Sequence, residues 1–560
     1  MLLFQKRIID DGPFGGKDIL FHLKEIERWV KYFISFWKKY FNVLIISVLA
    51  LNSFAQSVKR IEIPSRLTDQ TYQVITLGEE GVLLLSKTGK TTFSIIKYDA
   101  ELQQSWAVNG ELDENQSFVD YYHDGKDVYF LFSKYNSDLY QILKVSTSIG
   151  IVQKLFFENI KRFEISEFKV HNEIAYLAGM VKEEPVLMSV TLSKMQPRVL
   201  AGGIKGNASI SSIDFDDVND LVVISYSVKK GRSSYVVVKR INKNGKIVEQ
   251  LEVEPEEDYG LLTGKLFPLK DGTQLMIGNY GYKGYQSNGV PMSQGLYISK
   301  VDGETPEYVK MHSFTDFKNF FKFMNQKQQD RIEKKIKKKK GQGDDLKLNY
   351  RVLVHDIIQK DNQYILVAEV FYPEFKSNNV YGSPFYGSSF GSPFGYGYNS
   401  FNTLQYARYF GGNAWAWNPW MYSNSGNGNQ QFDGFKYTHA VVAGFDQKGN
   451  MLWDNSFSFE NVKSMNLKEK VKINVQNDEI TLVYSNKGKL ASKIVKGTEV
   501  IEGTKTIDID TQRDGDKVRD TETDDIEYWH QNFYLAWGYQ KIANRNDGTR
   551  RVFYLNKIAF

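Results

Sequence analysis

The stretch Asp127-Val128-Tyr129-Phe130-Leu131-Phe132 is a short apolar run that follows a tight polar turn, His123-Asp124-Gly125. A bounded run of this length, rich in β-branched and aromatic residues, is typical of a buried β-strand. Similar runs recur at about 46 to 54 residues, apart from two longer intervals. They begin at Gly81, Asp127, Glu173, Leu221, Thr273, Gln363, Glu479 and Phe533. The chain is therefore built from eight copies of one unit.

Each copy contains further strands separated by turns. In the fourth copy, a third strand at Tyr235–Arg240 is followed by the turn Asn242–Gly245 and a fourth strand at Lys246–Leu251. Gly, Asn and Asp dominate the turns because they tolerate a positive φ. Four antiparallel strands in a repeat of about 40–50 residues predict an all-β fold, a β-propeller with eight blades.

The two ends of the chain complement each other. The last copy has only three strands, the third being Arg551–Phe560, whereas Val58–Ile63 is a strand without a copy of its own. Pairing the first strand with the last predicts a closed ring with no open sheet edge. Seven blades with a C-terminal appendage is the alternative, because Lys489–Ile507 shows the weakest strand pattern.

The turns also carry a resemblance to known proteins. Tyr98–Trp106 and Phe445–Trp453 each run from an aspartate turn into a strand with a tryptophan. This pattern resembles secreted bacterial β-propeller repeat proteins over nearly all of residues 56–560. The resemblance implies the fold alone, since propellers carry unrelated functions.

The composition excludes several classes of function. The 560 residues include no cysteine, which excludes disulfides, thiol catalysis and Cys-ligated zinc. The net charge is only +5, so no nucleic-acid partner is expected. We also expect no cofactor.

Residues 1–55 have the parts of an export signal. A basic flank at Lys38-Lys39 precedes the apolar run Phe41–Leu51 and the small-x-small site Ser53-Phe54-Ala55. This pattern predicts cleavage near Gln56 and a periplasmic, outer-membrane-associated or extracellular protein. Residues 1–36 fit a signal poorly, which suggests a start codon further downstream. A single N-terminal membrane anchor is the alternative.

The long connections all follow the second or fourth strand of a blade, and these connections emerge on one face of a propeller. They span about residues 279–293, 313–348, 374–434 and 508–525. Insertions confined to one face usually mark a binding face. We call it the insertion-bearing face.

The insertion at 313–348 predicts a basic amphipathic helix. Apolar residues recur at helical spacing from Phe314 to Met324 and continue to Ile332 and Ile336. Lys337, Lys338, Lys339 and Lys340 follow. One hypothesis is contact with an anionic membrane surface or an acidic partner. The alternative is a helix packed on the propeller with solvated lysines.

The insertion at 374–434 is rich in Gly, Ser, Asn and aromatic residues. Rigid aromatic side chains on a flexible backbone suit recognition of a protein or a glycan. A low-complexity loop whose aromatics fold back on the domain is equally consistent. The candidate binding residues are Tyr396, Tyr398, Trp415, Trp417, Trp420 and Tyr422.

Acidic residues provide the remaining candidates. The run Asp508–Asp525 invites a calcium site, but its spacing matches no complete loop, so a solvated acidic link is favoured and no metal is expected. No catalytic motif occurs. Paired carboxylates near the axis could serve a glycosidase or lyase, or simply line the channel. Asp120, Glu167, Asp214 and Asp356 lie on the predicted innermost strands.

These patterns favour a non-enzymatic interaction or scaffold protein of the bacterial cell envelope. Its expected partner is an envelope protein or a glycan, bound on the insertion-bearing face. A carbohydrate-binding or carbohydrate-cleaving propeller is the alternative.

Overall fold

The computed structural model describes residues 56–560, apart from 66–71, 135–136, 183, 201–202, 205–206, 256–257, 270, 288–289, 303–304, 378–429 and 465–466. Within these residues the strands form eight antiparallel sheets of four to six strands and one two-stranded hairpin. Strand β1 (Gln56–Pro64) comes first in the chain and belongs to the last sheet.

Blades 1 to 4 have four strands each, hydrogen-bonded in chain order. Blade 1 contains β2 (Tyr72–Thr76), β3 (Val82–Lys87), β4 (Thr92–Tyr98) and β5 (Gln104–Glu111). Blade 2 contains β6 (Ser117–His123), β7 (Asp127–Ser133), β8 (Leu139–Ser146) and β9 (Val152–Glu158). Blade 3 contains β10 (Glu164–His171), β11 (Ile174–Val181), β12 (Glu184–Thr191) and β13 (Gln196–Val199). Blade 4 contains β14 (Ala208–Asp216), β15 (Leu221–Lys230), β16 (Ser233–Asn242) and β17 (Ile247–Val253).

Blades 5 and 6 are the elaborated ones. Blade 5 contains β18 (Tyr259–Leu261), β19 (Lys265–Pro268), β20 (Gln274–Tyr282), β23 (Gly295–Asp302) and β24 (Thr305–Ser313), with the hairpin β21 (Gln286–Ser287) and β22 (Val290–Pro291) between β20 and β23. Blade 6 contains β25 (Arg351–Val354), β26 (Ile358–Lys360), β27 (Gln363–Ser377), β28 (Gln430–Asp446), β29 (Met451–Ser458) and β30 (Lys463–Ser464).

Blades 7 and 8 complete the ring. Blade 7 contains β31 (Lys472–Gln476), β32 (Glu479–Asn486), β33 (Lys489–Lys496) and β34 (Glu499–Asp508). Blade 8 contains β35 (Lys517–His530), β36 (Phe533–Asn544), β37 (Gly548–Ala559) and β1. Among the described residues, the helical segments are the 3₁₀ turns η1 (Gly78–Glu80) and η2 (Phe320–Phe323) and the helix α1 (Gln326–Lys340).

The hydrophobic core lies between neighbouring blades. Every residue of β3 is buried, because the second strand of a blade is covered on both faces. One cluster joins Leu131 of blade 2 to Leu177 of blade 3, and another joins Leu84 of blade 1 to Leu535 of blade 8. Fourth strands such as β5 alternate between half-buried and exposed residues, as expected at the rim.

The prediction of eight blades closed by the N-terminal strand is confirmed. Strand β1 pairs with β37 at the outer edge of blade 8. Blade 8 also contacts blade 1: the Trp529 indole N–H donates to the Gly81 carbonyl at 2.9 Å, and the Lys557 ammonium lies 2.7 Å from the Glu101 carboxylate. Lys489–Ile507 is not an appendage, since it forms β33 and most of β34 of an ordinary blade.

The expected helix begins later than its apolar pattern suggested. α1 begins after Asn325, whose side chain accepts a hydrogen bond from the Gln328 backbone N–H in a capping box. Upstream, Phe314 and Phe317 are core residues in a non-helical segment. Within the described residues, no helix has the length and apolar character needed to cross a membrane. The predicted export signal lies outside those residues.

The connection that contains the acidic residues is also shorter than the predicted 508–525. Strand β34 ends at Asp508 and β35 begins at Lys517, so the link covers only 509–516. Asp520, Asp524 and Asp525 lie on the innermost strand of blade 8. The acidic residues of this run led to the prediction of a connection, but the part from Lys517 onward forms strand β35.

Candidate functional site

The innermost strands share a local irregularity. Strands β6, β10 and β14 each contain an extra residue that lacks a partner on the next strand, namely Val119, Ser166 and Ser211. In blades 5 and 6 the innermost strand is interrupted altogether, between β18 and β19 and between β25 and β26. Such bulges redirect side chains. Polar residues next to these irregularities come near charges of blades across the ring: Glu167 is near Asp356 of blade 6, and Tyr121 is near Glu527 of blade 8.

Charged residues from distant blades meet at the axis. The Lys265 ammonium of blade 5 lies 2.9 Å from an Asp356 carboxylate oxygen of blade 6 and 3.4 Å from a Glu469 carboxylate oxygen, which belongs to the segment leading into blade 7. Lys472 lies 2.8 Å from the Glu527 carboxylate of blade 8. The axis therefore contains a network of ion pairs that spans several blades.

Three lysines lie among the carboxylates on the side of the axis formed by blades 7 and 8. Lys468 pairs with Asp525, and Lys472 pairs with Glu527. Burial alone would raise the pKa of Asp525, but Lys468, Lys470 and Lys472 together lower it to about 2. Lys470 lies between the two paired lysines; burial, reinforced by the positive charge of Lys468, lowers its pKa to about 8. Asp525 is therefore held in its ionised form, whereas burial raises the pKa of Asp524 and of Glu527 on the same strand.

Carboxylates dominate the opposite side, formed by blades 2 to 4. Burial raises the pKa of Asp214 to about 6 and raises that of Asp120 well above its usual range. Burial also raises the pKa of Glu167, although Lys169 opposes it from 3.3 Å. Asp120 and Asp214 have no ion pair among the described residues. The carboxyl groups on this side of the axis therefore stay protonated to a higher pH than ordinary carboxyl groups do.

A buried histidine links the axis to blade 6. The His355 Nε2 lies 3.0 Å from a Glu369 carboxylate oxygen, and Nδ1 lies 3.9 Å from Glu469. Burial alone would lower the pKa of His355, but these two carboxylates raise it. The same Glu369 oxygen accepts hydrogen bonds from the backbone N–H groups of Lys470 and Val471, at 2.7 and 2.6 Å. Glu369 thus ties blade 6 to the segment that begins blade 7.

All four carboxylates named from the sequence lie at the axis, although they differ in setting. Asp120, Glu167 and Asp214 lie on β6, β10 and β14, whereas Asp356 lies in the gap between β25 and β26. The pKa values of the first three are raised, whereas Lys265 beside Asp356 lowers the pKa of that carboxyl group to about 2. Two of them contact the next inner strand: Glu167 accepts from the Ile213 N–H at 2.9 Å, and Asp120 is hydrogen-bonded to the Phe168 backbone.

Several axial residues were missed by sequence reasoning. Alternation along inner strands would have identified some of them, because Glu167 and Lys169, or Asp525 and Glu527, are two residues apart and point to one side. No local signal marks Glu369, which lies on the second strand of its blade. The other unpredicted axial residues are Tyr121, Lys265, His355, Lys468, Glu469, Lys470 and Lys472.

The acidic link does not form a metal site among the described residues, where no group of three or more suitable side chains occurs. The Asp516 side chain is fully covered, and its carboxylate accepts hydrogen bonds from the Arg550 guanidinium at 2.5 and 2.8 Å. Arg550 therefore holds the pKa of Asp516 far below its usual range. Asp516 is therefore a buried partner of arginine and not part of a solvated acidic link.

The insertion-bearing face carries a second candidate site. Every connection on the opposite face is a short turn, while the long ones run from β20 to β23, from β24 to β25 and from β27 to β28. The first two pack together. The Gln294 side chain exchanges two hydrogen bonds of 2.8 Å with the Leu348 backbone, and the Tyr285 hydroxyl lies 2.5 Å from the Asn349 side-chain oxygen.

The segment before α1 is anchored on blade 6. Asp454 of β29 accepts hydrogen bonds from the Lys318 and Asn319 N–H groups at 3.0 and 2.6 Å. The Phe323 ring stacks on His439 of β28 with centroids 4.0 Å apart, and burial lowers the pKa of that histidine to about 3. This elaboration is therefore a fixed part of the propeller.

The candidate binding residues of the insertion-bearing face fall into two groups. Lys337, Lys338 and Lys340 are exposed at the end of α1, and Lys339 is half-buried. Lys340 lies 2.5 Å from Asp316, and Lys339 lies 2.8 Å from Asp344. The aromatic candidates Tyr396, Tyr398, Trp415, Trp417, Trp420 and Tyr422 lie outside the described residues. The hairpin of β27 and β28 leads to them.

Comparison with known proteins leaves the family open. No protein-family model matches the chain, and no curated protein matches it. Solved propellers are similar only distantly. The β-propeller domain of the trilobed protease from Pyrococcus furiosus is 7% identical, with 78% of this chain and 97% of that chain covered and a TM-score of 0.31. The polysaccharide lyase Uly1 is 8% identical, with 80% and 91% covered and a TM-score of 0.38. TolB from Acinetobacter baumannii is 9% identical, with 55% and 62% covered and a TM-score of 0.26.

The opposite pKa shifts of Asp214 and Asp356 predict opposite responses to neutralising the carboxylate. Since the pKa of Asp214 is about 6 in the folded protein, its contribution to stability falls as pH rises from about 4 to 6. Asp214→Asn should therefore raise the melting temperature at pH 7 and lose that advantage near pH 4. Thermal denaturation followed by circular dichroism across this pH range measures the effect.

Asp356→Asn is the matched control. The pKa of Asp356 is about 2, so its contribution is present above about pH 4 and disappears as pH falls towards 2. This variant should be slightly less stable than the parent at pH 7; the change is small because the side chain is 90% exposed to water. Equal shifts of the same sign in both variants would contradict the opposite settings of these two carboxylates.

Proposed function

We propose that this protein is a non-enzymatic interaction propeller of the bacterial cell envelope, which binds its partner through the insertion-bearing face. The observation that carries the proposal is the packed elaboration on blades 5 and 6, where two long connections exchange hydrogen bonds between Gln294 and Leu348. The opposite face offers only short turns. A propeller that elaborates one face on a rigid ring presents a binding surface there.

The long hairpin of blade 6 adds to this support. Strands β27 and β28 have 15 and 17 residues, whereas the innermost strand β25 has 4. Pairing continues to Ser377 and Gln430, past Arg351–Phe371, the last pair with the innermost strand. About six further residues on each strand extend the sheet by roughly 20 Å. The aromatic insertion is thereby carried on a paired stem.

The axial network favours a second candidate, an acid–base function on a carbohydrate. Asp120 and Asp214 have raised pKa values, and a carboxyl group with a raised pKa is what a general acid in such chemistry requires. Most of the remaining axial carboxylates are neutralised by lysines, as in the pairs Lys265–Asp356 and Lys472–Glu527. Binding on the insertion-bearing face is therefore the primary proposal.

The test is capture of partners from envelope extract by the tagged protein. A variant that lacks 378–429, with Ser377 joined to Gln430 by a short Gly/Asn turn, should keep its melting temperature but lose roughly tenfold or more of the specific capture. The loss follows because the aromatic anchors are removed while the blade remains paired.

A charge-reversed variant of the opposite face serves as the control. Lys126, Lys194, Lys243 and Lys448 are exposed in its short turns, and changing all four to Glu should leave capture within about twofold. The proposal is wrong if this variant loses capture while the deletion retains it. Release of new sugar ends from polysaccharide, abolished by Asp214→Asn, would favour the second candidate instead.

A further inference from the structure

The net positive charge of helix α1 is larger than that of the whole protein. Its 15 residues include eight lysines and arginines against two acidic residues, a net charge of +6, whereas the complete chain has +5. Two of the lysines are used internally, in the pairs Lys339–Asp344 and Lys340–Asp316. The other six basic residues are exposed and have no ion pair among the described residues: Lys327, Arg331, Lys334, Lys335, Lys337 and Lys338. We call these six the basic face of α1.

The basic face has a regular geometry. Lys327, Arg331, Lys334 and Lys338 follow one another at intervals of four, three and four residues, which places them in one line along the helix. At 1.5 Å per residue the line is about 16 Å long. Like charges at this spacing destabilise an isolated helix, so their accumulation is not explained by helix formation.

Core packing does not explain the lysines either. The apolar side of α1 is already used, since Ile332 and Ile336 pack against the cluster of Phe314, Phe317 and Phe320. The capping box at Asn325 fixes the start of the helix. The basic face is therefore held outward on a rigid support.

The chemistry of the basic face indicates its partner. It contains no aromatic or aliphatic side chain, whereas a protein interface relies on such anchors in desolvated pockets. Its apolar side is covered, so the helix cannot insert into hydrocarbon as a free amphipathic helix does. A linear array of flexible ammonium groups suits a plane of anionic groups, which it attracts without burial.

We infer that the basic face of α1 docks on a membrane surface of acidic phospholipid headgroups. This inference rests on the proposed function, because it assigns one contact to the insertion-bearing face. The attraction is electrostatic and should weaken as salt rises and the Debye length shrinks. Acidic protein partners are the competing outcome.

Vesicle co-sedimentation of the full chain tests the inference. Vesicles of phosphatidylcholine alone are compared with vesicles of equal parts phosphatidylcholine and phosphatidylglycerol, at low and at physiological salt. The protein should prefer the anionic vesicles, and the preference should fall with salt. Because the apolar run Phe41–Leu51 can bind either lipid, the measured quantity is the ratio between the two vesicle types.

Charge-reversed variants localise the contact. Changing Lys334, Lys335, Lys337 and Lys338 to Glu should reduce the preference roughly tenfold or more, and the same four changed to Gln should reduce it less. The opposite-face variant with Glu at Lys126, Lys194, Lys243 and Lys448 has the same net charge and should remain within about twofold of the parent.

Two results would overturn the inference. One is a parent protein that shows no preference for anionic vesicles; the other is an equal loss in both charge-reversed variants, which would indicate a response to net charge alone. Either result leaves the capture of envelope partners through 378–429 unaffected, so the two proposals fail separately. A helix variant that loses capture of a protein but keeps its lipid preference would assign the face to an acidic protein.

Discussion

A chain that lacks Gln56–Pro64 is expected to lose its cooperative folding transition, because β1 is the outer strand of blade 8 and the only link by strand pairing between the two ends of the described chain. Without it, the whole length of β37 becomes an open sheet edge. Ile61 and Ile63 also leave the cluster that joins blade 8 to blade 1. The expected result is aggregation on size exclusion and no sigmoidal melting curve.

Complementation provides the control for this deletion. A synthetic peptide that covers Gln56–Ser65 should restore the transition when added in excess, since binding to the native state alone stabilises it. A peptide of the same length with Ile61 replaced by proline should not, because proline removes a donor and restricts φ. An unchanged melting temperature in the truncated chain would mean that the ring closes without β1.

Arg550→Ala should destabilise the folded protein by about 3 kcal/mol, since it leaves the buried Asp516 carboxylate without a counterion and leaves Glu62 with Arg60 alone. The Arg550 guanidinium lies 2.8 Å from Glu62 on β1 and 2.5 Å from Asp516, whose side chains are 5% and 0% exposed. Chemical denaturation at pH 7 measures the loss. The deficit should shrink on acidification below about pH 4, because Asp516 has a lowered pKa in the parent and its stabilising contribution disappears as it is protonated.

Arg513 is the matched control for Arg550. It lies 2.7 Å from Asp547, in the connections at the same end of blade 8, but both side chains are about half exposed. Surface ion pairs contribute about 0–1 kcal/mol, so Arg513→Ala should have little effect. Equal losses in the two variants would show that Arg550 contributes only as a surface charge and does not hold β1 in place.

The blades could be predicted from the sequence because their signals are local. The run Asp127–Phe132 and its seven counterparts are buried second strands, and turns such as Asn242–Gly245 join the strands that flank them. The strand that closes the ring, Val58–Ile63, was also predicted from the sequence, because it belongs to no copy of the repeat. Local patterns were less successful where apolar spacing continued through a turn, as at Phe314–Met324, since a core residue and a helix residue can occupy the same spacing.

The axial site depended on the tertiary structure. Its carboxylates could be placed on inner strands one at a time, but the contacts that set their chemistry join residues far apart in the chain, as Lys265 and Glu469 are 204 residues apart. Asp214 and Asp356 look alike in the sequence, and only their neighbours drive their pKa values in opposite directions. The sequence by itself determined the repeat, the strands and the face that carries the insertions, because periodicity and turn chemistry act over a few residues. Closure of the ring decided which charges meet, because electrostatic energies depend on distances that exist only once eight blades share an axis.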